Sequence, residues 1–247
     1  MTPQLPPSDP RVSSAHPGNA RVRNVRSFDE LRTTPFAGGI NALCWSRTLS
    51  GDFGEVVARL GDGGGEPITT LDEATLLALP VSAAGRVAIE ILLEDLRLLR
   101  AHDLDPVLNC IHGYPRDEHA GAVATDVFSF HADSAPVEAD TWLCTYFGAP
   151  SEGLRNEDAL RRVDVPETRA ALLREFGGDD DAAFREFLRE NCYDLHYAPL
   201  PNAHPYSFGV GNLWRIACEY PGSPVPPCIH RAPATLAGEA PRLLLIS

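Results

Sequence analysis

The stretch FSFHADSAPVEADTWLCTYFG (128–148) places His131 and Asp133 two residues apart in a run rich in aromatic and β-branched residues. On a strand, residues i and i+2 share a face, so this imidazole and carboxylate point together. The pair has two readings. A histidine hydrogen-bonded to a carboxylate is satisfied without metal. Alternatively, the two are half of a metal site that a histidine from a facing strand completes as a 2-His-1-carboxylate triad, leaving positions of the ion open. His230, in PPCIHRAP, is the candidate third ligand, on a late strand. Arg242 opens the last apolar run, RLLLIS, and its guanidinium can fork onto a carboxylate.

The pattern His131-Ala132-Asp133, then His230, then Arg242 resembles the Fe(II)/2-oxoglutarate-dependent oxygenases, over roughly residues 105–247. That resemblance implies a double-stranded β-helix, with HxD on an early strand, the distal histidine on the seventh and a basic residue on the eighth. It implies that His131, Asp133 and His230 hold Fe(II), and that Arg242 binds the distal carboxylate of 2-oxoglutarate, with Arg231 in reserve. O2 is then the oxidant, and succinate and CO2 are the co-products. Related halogenases have a small residue at the position of Asp133, so its carboxylate implies hydroxylation, desaturation or ring formation. INALCWSR, SFHAD…LCTYFG and CIHRAPA…RLLLIS are also similar to an uncharacterised bacterial domain family, which supplies no function.

Other residues are weaker candidates. Alternation along DTWLCTYFG puts Trp142, Cys144 and Tyr146 on one face and Leu143, Thr145 and Phe147 on the other. Tyr146 either hydrogen-bonds the co-substrate or fills the barrel. Arg155 and Asn156, in SEGLRNEDA, stand where a substrate loop would begin, and a purely structural loop fits them as well. Cys110-Ile-His112 and Cys228-Ile-His230 are identical tripeptides that could together bind Zn2+ tetrahedrally, although core cysteines explain them equally. His119 falls in an acidic loop, and His196 and His204 near prolines, at a pocket rim or the surface.

The elements that position these residues follow from pattern. The 247 residues suit one large domain. Residues 1–26, rich in Pro, Ser and Arg, read as a flexible leader, and 27–247 as one jelly-roll domain. Within it, 27–104 is mainly helical support and 105–247 a β-rich core carrying a helical insertion over 151–200. In SAAGRVAIEILLEDLRLLRAHD (82–103), Ile89, Leu92, Leu93, Leu96 and Leu99 form one apolar stripe, predicting a helix packed on a sheet. Thr70 and Glu73 stand at capping-box spacing before a short helix. The fold class expected is α+β, helices buttressing a jelly roll.

Composition excludes several functions. The net charge is −13, and no basic face is visible for nucleic acid. All 21 basic residues are arginines, so Schiff-base lysine chemistry and a lysine-bearing phosphate loop are absent. No GxSxG occurs, and the glycines at 63–65 lack the strand–turn–helix context of a nucleotide loop. No apolar run is long enough to span a membrane, and the N-terminus has no secretory apolar segment, so a cytoplasmic protein with scattered free cysteines is expected. The expected partner is a small-molecule or amino-acid-like substrate, and nothing in the sequence specifies an oligomeric state. Two other classes fit the same residues: a cupin-like metal enzyme that does not use 2-oxoglutarate, and a non-catalytic jelly-roll binding domain.

Overall fold

A computed structural model describes residues 19–116, 121–234 and 240–247. In chain order, β1 (Val22–Val25) is followed by α1 (Phe28–Thr33), β2 (Ala42–Trp45), α2 (Phe53–Leu60), β3 (Ile68–Leu71), α3 (Glu73–Ala78) and α4 (Ala83–Arg100). Then come β4 (Val107–Ile111), β5 (Phe130–His131), β6 (Asp140–Phe147), β7 (Glu152–Leu154), β8 (Ala159–Arg161), α5 (Pro166–Phe176) and α6 (Ala182–Glu190). The chain closes with β9 (His196–Pro199), β10 (Tyr206–Ser207), β11 (Leu213–Ala217), β12 (Ile229–Arg231) and β13 (Arg242–Ile246). The architecture is mixed α+β, with two sheets. A seven-stranded sheet runs β1-β2-β11-β6-β13-β4-β3, antiparallel except for β1 on β2. A six-stranded antiparallel sheet runs β10-β7-β12-β5-β9-β8.

The helices cover one face of the larger sheet, as the stripe in α4 predicts. Ser82 caps α4 by accepting from the Gly85 N–H, and Arg97 and Arg100 complement the dipole in the last turn. Its buried side chains, Ala88, Ile89, Leu92, Leu93, Leu96 and Leu99, meet Leu43, Leu108, Cys110, Trp142, Cys144, Tyr146, Leu213, Leu243 and Leu245 from the sheet. Each fully buried leucine there is worth about 1.5–3 kcal/mol of burial, and Leu92→Ala would cost about 2–5 kcal/mol. The alternate residues face the other way. Ala42, Cys44, Leu143, Trp214 and Ile216 form the inner layer against Phe208 and Cys228 from the β10–β12 region. The site lies on this inner side.

Several boundaries differ from the expectation. Val22–Val25 forms a strand on β2, so the leader does not reach 26; residues 1–18 lie outside the described residues, as does His119. The support region also contributes β2 and β3 to the larger sheet. Thr70 is in β3, and the cap of α3 is Asp72, whose carboxylate accepts from the Thr75 N–H at 2.7 Å. The segment 151–200 is not simply helical. It holds α5 and α6 but also β7, β8 and β9, which extend the smaller sheet. These strands are three or four residues long and carry no sustained alternation. Asp181 caps α6, while α5 begins with Pro166 and stops at left-handed Gly177. The two helices share a separate apolar cluster of Val123, Val163, Leu172, Phe184 and Leu188.

Candidate metal centre

His131 ends β5, and His230 is the central residue of β12. They are register partners across the antiparallel pair, so both imidazoles project from one face, with ring centroids 4.6 Å apart. Asp133 lies just beyond β5, where its carbonyl accepts from the Glu219 N–H at 2.7 Å. Its carboxylate stands 3.7 Å from His230 Nε2 and 4.0 Å from His131 Nε2. One ligand atom from each of the three residues lies within 4.8 Å of the others, the only such cluster of three potential ligands among the described residues.

Local bonds orient the donors. His131 Nδ1 is 2.8 Å from the Ser129 carbonyl, which can only accept, so Nδ1 carries the proton and Nε2 offers its lone pair. His230 Nδ1 faces the Cys228 carbonyl at 3.4 Å in the same sense. Thr141 Oγ1 donates to Asp133 Oδ2 at 2.5 Å. Burial pushes the Asp133 carboxyl up, but His230, the Thr141 hydroxyl and His131 outweigh it and hold the group below the usual carboxylate range. Burial and the neighbouring His230 hold His131 below the usual imidazole value. Both shifts favour the forms a metal ligand needs, neutral imidazole and ionised carboxylate. This donor set, two imidazole nitrogens and one carboxylate, fits a divalent first-row metal.

Arg242 sits at the start of β13 on the inner face, opposite in sense to Leu243, and is 4% exposed. Its Nε donates to the Ala149 carbonyl at 2.7 Å, Nη1 to the Tyr114 hydroxyl at 3.2 Å, and Nη2 to Ser151 Oγ at 3.0 Å and Thr145 Oγ1 at 3.5 Å. No carboxylate pairs with it among the described residues. Burial pulls its pKa below the ordinary guanidinium value, with Tyr114 acting in the other direction. Gly148, at φ +81°, lets the chain pass close: a Cβ there would stand 2.8 Å from the Pro241 carbonyl and 3.1 Å from Arg242 Cα. Ser151 precedes by two residues Gly153, the register partner of His230. The guanidinium therefore reaches the smaller sheet about 7 Å along the strand from the histidine pair.

The remaining candidates are placed elsewhere. Tyr146 is not on the Arg242 side. Its ring stacks on Phe53 and its hydroxyl donates to Asp95 at 2.6 Å, on the helix-covered face, where Asp95 also pairs with Arg47 at 2.7 Å. Its neighbour Thr145 is the residue of β6 that meets Arg242. Arg155 is held by Asp158 at 2.6 Å within its own loop, and Asn156 bonds Asn41 and the Pro227 carbonyl, tying that loop to the segments before β2 and β12. Arg231 pairs with Glu152 at 2.6 Å and covers the Phe130 ring. The two Cys-Ile-His tripeptides do not converge. Cys110 packs under the helices, whereas Cys228 lies between the sheets.

Sequence reasoning missed the hydroxyls of Tyr114, Thr145 and Ser151, which carry no motif, and it missed His196. That histidine is the cross-strand partner of His131, not a rim residue. It is 5% exposed, its ring centroid is 5.8 Å from that of His131, and burial, helped by His131 and Arg162, holds its pKa down to about 4. No family model matches the chain, and neither a curated protein nor a solved structure does. No helix among the described residues is long and apolar enough to cross a membrane.

Proposed function

We propose that the protein is an Fe(II)/2-oxoglutarate-dependent oxygenase acting on a small molecule. His131, Asp133 and His230 hold the metal, and Arg242 receives the distal carboxylate of the co-substrate. The observation that carries the reading is Arg242 itself. Among the described residues it is a buried cation bonded only to neutral groups, on the side of the sheet that faces a cluster of three potential metal ligands. Burying an unpaired guanidinium is costly, and an incoming carboxylate offsets that cost. A cupin-like enzyme without 2-oxoglutarate leaves this arrangement unexplained.

Strand order supports a double-stranded β-helix. Apart from β1–β3 and from β8 and β9, which lie between β7 and β10 in the chain, eight strands remain, four in each sheet: β11-β6-β13-β4 and β10-β7-β12-β5. In that count β5 is second, β12 seventh and β13 eighth, which supports the reading that the resemblance gives for His131, His230 and Arg242.

When bound, iron and 2-oxoglutarate supply the oxidation of a substrate C–H bond by O2, with succinate and CO2 released. The chain's own residues bind and orient. The Ser129 and Cys228 carbonyls fix the histidine tautomers, and Thr141 fixes the carboxylate. Because Tyr114, Thr145 and Ser151 accept from Arg242, their own hydroxyl protons stay available to a carboxylate. The inner layer of Phe208, Trp214 and Cys228 keeps the His230 side dry. Anaerobic titration with Fe(II) and 2-oxoglutarate tests the assignment: a weak visible charge-transfer band should form in the wild type and be lost in His131→Ala. Persistence of the band in that variant removes the ligand assignment. Metal binding with no response to 2-oxoglutarate removes the co-substrate.

A further inference from the structure

Beside His131 and Asp133 is a hollow of about 260 Å3, lined by these two residues together with Asp126, Ser134, Cys192 and His196. Its charge is one-sided. Two carboxylates line it and no arginine does. Burial holds both imidazoles, His131 and His196, below their usual pKa and so neutral. Arg162 is close enough for its charge to act on His196, but it does not line the hollow. With the Asp133 charge taken up by a metal, Asp126 is the carboxylate left over. Its Oδ1 accepts from the Phe128 and Ser129 N–H groups at 3.1 and 3.2 Å, which leaves Oδ2 outside the turn, and no cation pairs with it among the described residues.

His196 gives a second, independent sign of a missing molecule. It is 5% exposed, and its ring lines the hollow. Nδ1 is enclosed without a hydrogen-bond partner, so Nε2 is the ring nitrogen able to meet a ligand. Buried polar side chains are otherwise satisfied, and an imidazole with no partner among the described residues is an unfinished contact. A neutral imidazole accepts at one nitrogen, and a protonated primary amine has three N–H groups to give. A second hollow, of about 330 Å3, shares Ser134 and Leu195 with the first and is lined by Glu219, which has no ion pair among the described residues. The basic residue on its wall, Arg189, is paired with Glu186. The chain's net charge of −13 adds to the attraction for a cation.

We propose that the hollow beside His131 and Asp133 is the prime-substrate pocket and that it takes a small protonated amine, the ammonium donating to Asp126 and His196. The proposal rests on the reading that His131, Asp133 and His230 hold the metal, because that sets the carbon skeleton of the amine beside the reacting centre. The volume suits a small molecule and not a folded partner.

The test uses Cys192, which lines the hollow and is the only exposed cysteine of six. The full chain is labelled with iodoacetamide in the presence of butylamine, hexylamine, cyclohexylamine or benzylamine, each compared with the alcohol and the carboxylic acid of the same skeleton. At ten times its Kd, a bound amine should slow Cys192 labelling about tenfold. The alcohol and the acid should not. Asp126→Asn keeps the acceptor oxygen of the turn and should weaken the protecting amine about 10- to 100-fold, as loss of a hydrogen bond to a charged group does. Glu90→Gln removes the same charge from the exposed side of α4 and should leave protection unchanged. Protection by no amine, equal protection by the alcohol, or equal weakening in the two variants overturns the pocket. The iron–2-oxoglutarate band is recorded on the same samples. Where it forms, the protecting amine should raise succinate release, and failure of every protecting amine to do so overturns the substrate role. Protection without the band supports the amine pocket and faults the oxygenase reading instead.

Discussion

Replacing Arg242 with methionine separates co-substrate recognition from metal binding. Methionine keeps much of the apolar stem and deletes the charge. The wild-type side chain makes four hydrogen bonds to neutral partners while carrying the desolvation cost of a buried cation that no carboxylate among the described residues offsets. These terms oppose each other, so the ligand-free variant should lie within about 2 kcal/mol of the wild type. The difference should emerge with ligand. At 100 times Kd, 2-oxoglutarate should stabilise the iron-loaded wild type by about 2.7 kcal/mol. For a domain of this size that is about 5–10 °C in Tm. Pyruvate shares the 2-oxo acid head but lacks the distal carboxylate, so it should give a much smaller shift. Anaerobic thermal melts followed by circular dichroism, with Fe(II) and each acid in turn, measure both. In Arg242→Met the two acids should become equivalent. An equal response of the wild type to pyruvate and 2-oxoglutarate, or an undiminished 2-oxoglutarate shift in the variant, would refute the argument from the unpaired guanidinium.

Thr141→Val removes the 2.5 Å hydrogen bond to Asp133, and should lower Fe(II) affinity about 10- to 100-fold in a competition titration while leaving the far-ultraviolet spectrum unchanged. Gly153→Ala places a Cβ 2.2 Å from the Tyr206 ring and 2.7 Å from Phe208, directly across from His230; denaturant unfolding should show a loss of about 1–3 kcal/mol. His196 has a folded pKa of about 4 against about 6.5 unfolded, so the unfolded chain binds the extra proton first as pH drops. The metal-free protein should therefore lose about 3 kcal/mol between pH 6.5 and 4 through this group, a loss absent in His196→Leu; identical pH profiles for the two proteins would contradict it.

Strand parity pointed to His131 and Asp133 together, although β5 ends at His131 and the bond from the Glu219 N–H to the Asp133 carbonyl holds the carboxylate near it. It also separated Tyr146 from Thr145 correctly. Parity does not say which face is inward, however, and the helices that bury Tyr146 against Asp95 contact it from a distant part of the chain. The stripe in α4 was readable because one contiguous segment carries it. The hydroxyls around Arg242 come from a loop, a strand and a turn, and nothing periodic joins Tyr114, Thr145 and Ser151. His196 was hidden for a related reason. Its strand is four residues long and ends in Pro199, so the segment read as a proline-rich edge although pairing with β5 buries it.

The cluster of Val123, Val163, Leu172, Phe184 and Leu188 gives the α5–α6 segment a nucleus of its own, apart from the layer between the sheets. Arg162 and Cys192 flank this unit, whereas all three proposed iron ligands lie outside it. Selection or engineering can therefore recast this unit as a cassette while β5 and β12, with His131 and His230, keep their spacing.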